Sequence, residues 1–133
     1  MIESAFIFVV LALLLIGIFD FGQFLFVHQA LVERARSALR YGVVNGPSNT
    51  TAIKNKVLYD QPIAPETDTE LGATGYFGLT TSNVIVTHTG VGTDDQRLTV
   101  QIVNFPYQML SPFVNGSYTG PEIRISYALG MFN

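Results

Sequence analysis

An uncharged apolar run near the N-terminus constrains this chain more than any other feature. It extends from Ser4 to Phe19, reads SAFIFVVLALLLIGIF, and lies between Glu3 and Asp20. Because a helix rises about 1.5 Å per residue, the segment between the two acids spans about 25 Å, close to the hydrocarbon thickness of a thin bilayer. The sequence therefore predicts a helix that can cross a membrane.

The flanks of this run do not match a cleavable signal peptide. Such a peptide has Lys or Arg before its apolar core and an A-x-A-like site after it, and neither occurs here. The first basic residues are Arg34, Arg36 and Arg40, which by the positive-inside rule would place the C-terminal part in the cytoplasm. The Gly/Thr/Asn-rich sequence after residue 44 indicates an exported domain instead. We therefore expect that a short basic leader preceded Met1 and has been removed.

Length and composition exclude several classes of function. The 133 residues are enough for one domain plus the apolar segment, and a net charge of -3 gives no basic surface for nucleic acid. The absence of cysteine excludes disulfides, thiolate zinc sites and a Cys nucleophile. His28 and His88 are isolated from any matching ligand set, so we expect neither metal nor cofactor. No catalytic motif is present, and we expect that the protein is not an enzyme.

Beyond the apolar run the pattern becomes amphipathic. Apolar and small residues recur at three- and four-residue steps, namely Phe24, Val27 or His28, Leu31, Ala35, Ala38 or Leu39, and Gly42. Asn45-Gly46-Pro47 supplies a C-cap and a residue that cannot continue the helix. The sequence thus predicts one helix over residues 1–45, with residues 1–24 forming the membrane or filament-core part.

Residues 46–133 are predicted to form a small head domain. Ser48 or Asn49 is expected to cap a short helix that ends near Tyr59, with Ile53, Val57 and Leu58 facing inward. Pro62 and Pro65 are expected to open a loop that reaches about Gly78. Asp60, Glu66, Asp68 and Glu70 are interpreted as a solvated acidic surface.

Three segments of the head alternate apolar and polar residues as half-buried antiparallel strands do: Asn83 to Thr89, Arg97 to Asn104 and Glu122 to Leu129. Gly90 to Gln96 is the expected hairpin loop, and Pro106 and Pro112 are expected to bound a short helical turn. The predicted fold is α+β, a lollipop in which the second half of a long helix packs on a small antiparallel sheet. The sequons at Asn49 and Asn115 are sites at which glycans could be attached.

Residues 3–44 resemble the TadE-like family of tight-adherence pilins and pseudopilins. The resemblance rests on Glu3, the aliphatic run to Gly17, the segment Ile18-Phe19-Asp20-Phe21-Gly22, then His28-Gln29-Ala30-Leu31, Ala35-Arg36 and Arg40-Tyr41, in that order. Residues 103–114, VNFPYQMLSPFV, also resemble the family's strand, Pro-Tyr turn and Leu-x-Pro motif. Val9 departs from the family pattern, which usually has a proline at this position. We therefore do not expect a helix kink at Val9.

The resemblance implies a structural subunit of an extracellular type IV-like pilus. Its partners would be further copies of itself, the inner membrane before assembly, a prepilin peptidase and the pilus assembly machinery. The alternative is a bilayer-anchored single-pass extracytoplasmic binding or pilus-assembly factor that does not itself form filaments. We expect assembly contacts at Met1, Glu3, Phe6, Leu13, Gly17, Asp20 and Gly22.

The two acids that bound the apolar run each allow two interpretations. Glu3 is either an interfacial residue at the membrane edge or the carboxylate that pairs with the amine of Met1 in a neighbouring subunit, and the resemblance favours pairing. Asp20 either marks the outer interface of the span, with Phe19 and Phe21 packed beside it, or contacts an arginine of another subunit.

Overall fold

The computed structural model of the chain describes residues 2–63, 75–108 and 117–130. In chain order its elements are α1 (Ile2–Asn45), α2 (Thr50–Tyr59), a 3₁₀ turn (Tyr76–Gly78), β1 (Val84–Thr89), β2 (Arg97–Ile102), β3 (Pro106–Gln108), β4 (Ser117–Thr119) and β5 (Ile123–Ala128). A long apolar helix followed by a small antiparallel sheet confirms the predicted α+β lollipop.

Helix α1 is continuous over 44 residues and therefore about 65 Å long. It ends where the sequence predicts. Gly46 adopts a φ of +113°, a conformation that glycine tolerates, and its N–H donates to the carbonyl of Gly42 at 3.1 Å. Pro47 follows and cannot extend the helix.

One face of the second half of α1 packs on the head. Its buried residues recur every three or four positions and are Val27, Leu31, Ala35, Ala38, Leu39 and Gly42. Phe24 and His28 are half-buried on the same face. The predicted amphipathic stripe is therefore confirmed. On the polar face of the helix, Arg36 Nη1 lies 2.9 Å from Glu33 Oε1.

Helix α2 begins at the predicted cap. The side-chain oxygen of Asn49 accepts a hydrogen bond from the backbone N–H of Ala52 at 3.2 Å, which satisfies one of the free donors of the first turn. Ile53, Val57 and Leu58 are all buried, as predicted, and they pack in the same core as the stripe of α1.

The main sheet has the strand order β1-β2-β5, and both pairings are antiparallel. Its three strands are the three predicted segments, each shorter by one or two residues. The row Leu98, Val100 and Ile102 of β2 is completely buried and contributes the centre of the core. The loop between β1 and β2 is the predicted hairpin loop.

The predicted helical turn after Pro106 is wrong at its beginning. Pro106–Gln108 is extended and pairs antiparallel with Ser117–Thr119, which gives the molecule a second, two-stranded sheet. Proline is tolerated as the first residue of a strand, where its missing N–H costs no ladder hydrogen bond. Residues 109–116, including Pro112, and the predicted loop from residue 64 to residue 74 lie outside the described residues.

Candidate assembly surface

The first half of α1 carries a large apolar surface that its own head does not cover. From Glu3 to Phe19 every side chain is exposed apart from the half-buried Ala12 and Ile16. Phe6 is 71% exposed and Phe19 is 72% exposed. By length and composition α1 is a candidate membrane span, with an apolar window of mean hydropathy 2.6 of which 6% is buried.

This exposure extends around the whole circumference of the helix. Phe6, Ile7, Phe8, Val9 and Val10 are consecutive and all exposed, so they point in every direction around the axis. Covering one large apolar side chain is worth about 1.5 to 3 kcal/mol, and soluble monomers rarely leave so large a patch open to water. The surface therefore requires lipid or other apolar helices on all sides.

Most of the predicted assembly residues that the structure describes are exposed on the free part of α1, and Asp20 is buried. Glu3, Phe6 and Leu13 are exposed on the free part of α1. Gly17 and Gly22 lie in open space, because among the described residues no atom of another part of the chain comes within 4 Å of the position of an added Cβ. Met1 lies outside the described residues, so its pairing with Glu3 stays a prediction.

Asp20 is the first buried residue along the described part of α1. It is only 8% exposed, and the hydroxyl of Tyr107 in β3 donates to its main-chain carbonyl at 2.8 Å. Phe19 and Phe21, on either side of it in the sequence, are exposed. The contact thus joins the main chain at Asp20 to the head of the same subunit. The two predicted roles of Asp20, at the outer interface of the span or against an arginine of another subunit, stay predictions.

The environment of this contact is apolar. Burial raises the pKa of the Tyr107 hydroxyl above its usual value, and the nearby carboxylate of Asp20 raises the pKa further. The Tyr107 ring also packs edge-to-face with Phe24, with 5.3 Å between centroids. Tyr107 belongs to the Pro-Tyr turn visible in the sequence, but no sequence pattern indicates its partner on α1.

The end of α2 also differs from the interpretation of the sequence, because Asp60 makes ion pairs. Asp60 adopts a left-handed conformation with φ of 61° and pairs with Lys56 at 3.0 Å and Arg34 at 3.5 Å. The hydrogen bond from Lys56 and the charge of Arg34 lower the pKa of Asp60. Arg34 also lies over the ring of Tyr76 at 4.3 Å. Asp60 therefore ties α2 to α1 and is more than a solvated acid; the other three predicted surface acids lie outside the described residues.

The remaining predicted sites have structural contacts where they are described. Asn49 caps α2, and Asn115 lies outside the described residues. His28 stacks on Phe24, and His88 shares a 2.7 Å hydrogen bond with Gln96. In the part of the chain that the structure describes, no three His, Cys, Asp or Glu side chains are grouped so that they could hold a metal ion.

The uncovered apolar helix is also the part of the chain that matches a family model. Residues 1–40 match the family of TadE-like proteins. This match confirms the resemblance drawn from the residues of α1, and the proteins of that family are pilin-like and associated with Tad pili. TadE-like proteins are pilus proteins with no known enzymatic activity. Neither the curated proteins nor the solved structures contained a match to the chain.

The TadE-like match and the head contact overlap on α1. The matched segment includes all of the uncovered helix and most of the buried stripe up to Leu39. It is therefore the helix, with its two different environments, that carries the similarity. A pilin-like protein with such a helix is consistent with membrane insertion followed by residence in a pilus at the cell surface.

Proposed function

We propose that the chain is a structural subunit of an extracellular tight-adherence pilus, and that it assembles by packing the first half of α1 against the same segment of neighbouring copies. The observation that carries this proposal is the exposure of the apolar helix from Glu3 to Phe19, where only Ala12 and Ile16 are half-buried, beside a head whose core includes the second half of α1. A helix that is apolar on every side needs partners on every side, and a helical filament provides them.

The position of the head supports the same conclusion. Among the described residues, β3 contacts α1 at Asp20, and from Glu3 to Phe19 only Ala12 and Ile16 are half-buried. The free segment is about 25 Å long, which suits a bilayer before assembly and a bundle of identical helices afterwards. A single surface thereby serves both environments in succession.

Glu3 gives this packing an electrostatic constraint. Its carboxylate lies at the first turn of α1, where the helix dipole already favours an anion, and it is exposed in the single chain. In the dry centre of a filament an unpaired carboxylate would cost several kcal/mol. We infer that a positive group of a neighbouring subunit, such as the amine of Met1, compensates Glu3 and thereby sets the axial position of one helix against the next.

The experiment compares the full chain with a form that lacks residues 1–19, both expressed in the native host with an export signal where needed. Sheared surface material is examined by negative-stain microscopy with an antibody against the head. The full chain should yield labelled filaments, and the shortened form should be a soluble head, since it keeps Asp20 and its contact with Tyr107.

Two results would contradict the proposal. Ordinary filaments built from the shortened chain would show that α1 does not form the filament core. A full chain that stays in the membrane fraction and never appears in filaments would favour the bilayer-anchored assembly factor.

A further inference from the structure

A second uncovered apolar surface lies at the other end of α1, on the head. It is a groove of about 310 Å³ between the last turns of the helix and the end of β5, lined by Leu39, Arg40, Val43, Val44 and Tyr127. We call it the β5 groove. It is separate from the free segment of α1 and is not needed to explain membrane insertion.

The β5 groove is a continuation of the core that nothing described in this chain covers. Ile123, Ile125 and Tyr127 alternate along β5 opposite the buried row of β2, so they share the face that packs on α1. Ile123 is 4% exposed and Ile125 is half-buried, but Tyr127 is 55% exposed. On α1, Val44 is 82% exposed. The inner face of the sheet therefore opens outward at this end.

One of the side chains that line the groove is positively charged. Arg40 is exposed, and within the described residues it forms no ion pair, in contrast to Arg34 and Arg36. A partner that fills the groove should therefore combine a small apolar side chain with an acid next to it.

The loop between β1 and β2, residues 90–96, has this combination. Val91 is 68% exposed and is followed closely by Asp94 and Asp95, which are also exposed. The loop is held in shape by its own hydrogen bonds, since the N–H of Thr93 donates to the carbonyl of Gly90 at 3.0 Å and Gln96 donates to Thr93 at 3.2 Å. It is therefore a preformed apolar projection beside negative charge.

The loop and the groove lie at the same end of the main sheet but at opposite edges. Thr89, where the loop begins, is level with Arg97, and Arg97 is level with Ala128 beside the groove. The loop belongs to the β1 side and the groove to the β5 side, with β2 between them. A contact from one surface to the other in the next copy is heterologous, and such contacts propagate into open helical polymers when they do not close into rings.

We propose that the β5 groove receives the β1–β2 loop of a neighbouring copy of this chain. Val91 lies between Val44 and Tyr127 of the neighbour, and Asp94 pairs with Arg40. The proposal rests on the proposed filament function and adds a head-to-head contact to the packing of α1.

Charge reversal tests the polar part of the contact. Arg40→Asp and Asp94→Arg should each lower the yield of sheared filaments about tenfold at unchanged membrane abundance, because like charges face each other at every repeat of the contact. The double variant Arg40→Asp/Asp94→Arg should restore most of the yield. Wild-type yield from both single variants, or a double variant no better than either, would overturn the pairing.

Disulfide trapping tests the apolar part, and the chain is suited to it because it contains no cysteine. The variant Val44→Cys/Val91→Cys is assembled, treated with a mild oxidant and run on a non-reducing gel. A ladder of multimers is expected, whereas either single variant should remain monomeric because its one thiol has no thiol opposite it.

The two proposals fail in different ways. Filaments of the double-cysteine variant that are visible by microscopy but give only monomer on the gel would contradict the groove contact and leave the pilus function intact. Absence of filaments from the wild-type chain itself would overturn both.

Discussion

The glycines of α1 differ in their surroundings, and this difference gives a quantitative test of the packing. An added Cβ at Gly42 would lie 2.6 Å from Ile53 Cδ1 and 2.8 Å from Leu98 Cδ2, and both of those residues are completely buried. Crowding a packed core in this way costs about 1 to 3 kcal/mol. Alanine in a helix interior regains up to about 1 kcal/mol relative to glycine. Gly42→Ala should therefore destabilise the head by about 1 kcal/mol net.

Gly22 is the matched control on the same helix. The same substitution there meets open space among the described residues, so it changes helix propensity without crowding the core. Gly22→Ala should leave the melting temperature of the head unchanged or slightly raised. Gly42→Ala should lower it by roughly 4–8 °C, the shift that about 1 kcal/mol produces in a domain of this size.

The assay is thermal unfolding of the full chain in detergent, followed by near-ultraviolet circular dichroism of its six tyrosines, since tryptophan is absent. The detergent covers the free part of α1, so the transition reports on the head. A melting temperature for Gly42→Ala equal to or above that of Gly22→Ala would refute the close packing of α1 on α2 and β2.

Filament yield from the same variants adds the functional comparison. If neighbouring helices approach each other closely at Gly22, then Gly22→Ala should lower the yield while its head keeps the wild-type melting temperature. Gly42→Ala should instead affect yield only to the extent that it lowers head stability. Equal yields from Gly22→Ala and wild type would show that this glycine makes no close contact in the filament.

Three further predictions concern single polar groups. Glu3→Gln should insert into the membrane normally but give few filaments, because it keeps the shape and loses the charge; wild-type filament yield on the same comparison would exclude charge pairing. Tyr107→Phe should cost about 0.5 to 1.5 kcal/mol by chemical denaturation, since the Asp20 carbonyl keeps its own helical hydrogen bond. Because the Tyr107 pKa is raised above 10.0 in the folded state, that advantage of the wild type should shrink as pH rises through and beyond 10.0. The pKa of Asp60 is lowered below 3.8, so its stabilisation should be complete above that pH and lost as pH falls further. The variant Asp60→Asn should not show this loss of stability at acid pH, which for so exposed a group is no more than about 1 kcal/mol. Denaturation midpoints measured as a function of pH for the variant and the wild type check this.

Features with local causes could be predicted from the sequence. The end of α1 follows from Gly46-Pro47, the start of α2 follows from the Asn49 cap, and the three main strands follow from strict alternation. Each of these signals acts within a few residues, where backbone sterics and one hydrogen bond decide the conformation. The stripe of α1 could be predicted for the same reason, because its period is a property of the helix itself.

Features that depend on distant partners could not be predicted in the same way. The Tyr107–Asp20 contact joins residues 87 positions apart, and no pattern near either residue indicates the other. The pairing of β3 with β4 likewise involves three-residue segments that are too short to show alternation. Asp60 could only be interpreted as a surface acid, because its role depends on Arg34 being brought beside it by the packing of α1 on α2.

The position of Asp20 links the fold to the assembly surface. If the head began closer to the N-terminus, it would bury part of the apolar run, and the remaining helix would be too short to cross a bilayer. If the head began later, charged and polar residues from Asp20 to Gln29 would enter the filament core without partners. The contact with Tyr107 lies at the first charged residue after the run, so the whole apolar run lies on its N-terminal side. In the proposed filament, a contact that no local sequence pattern indicates would thus mark where the helix stops packing on its neighbours and starts packing on its own head.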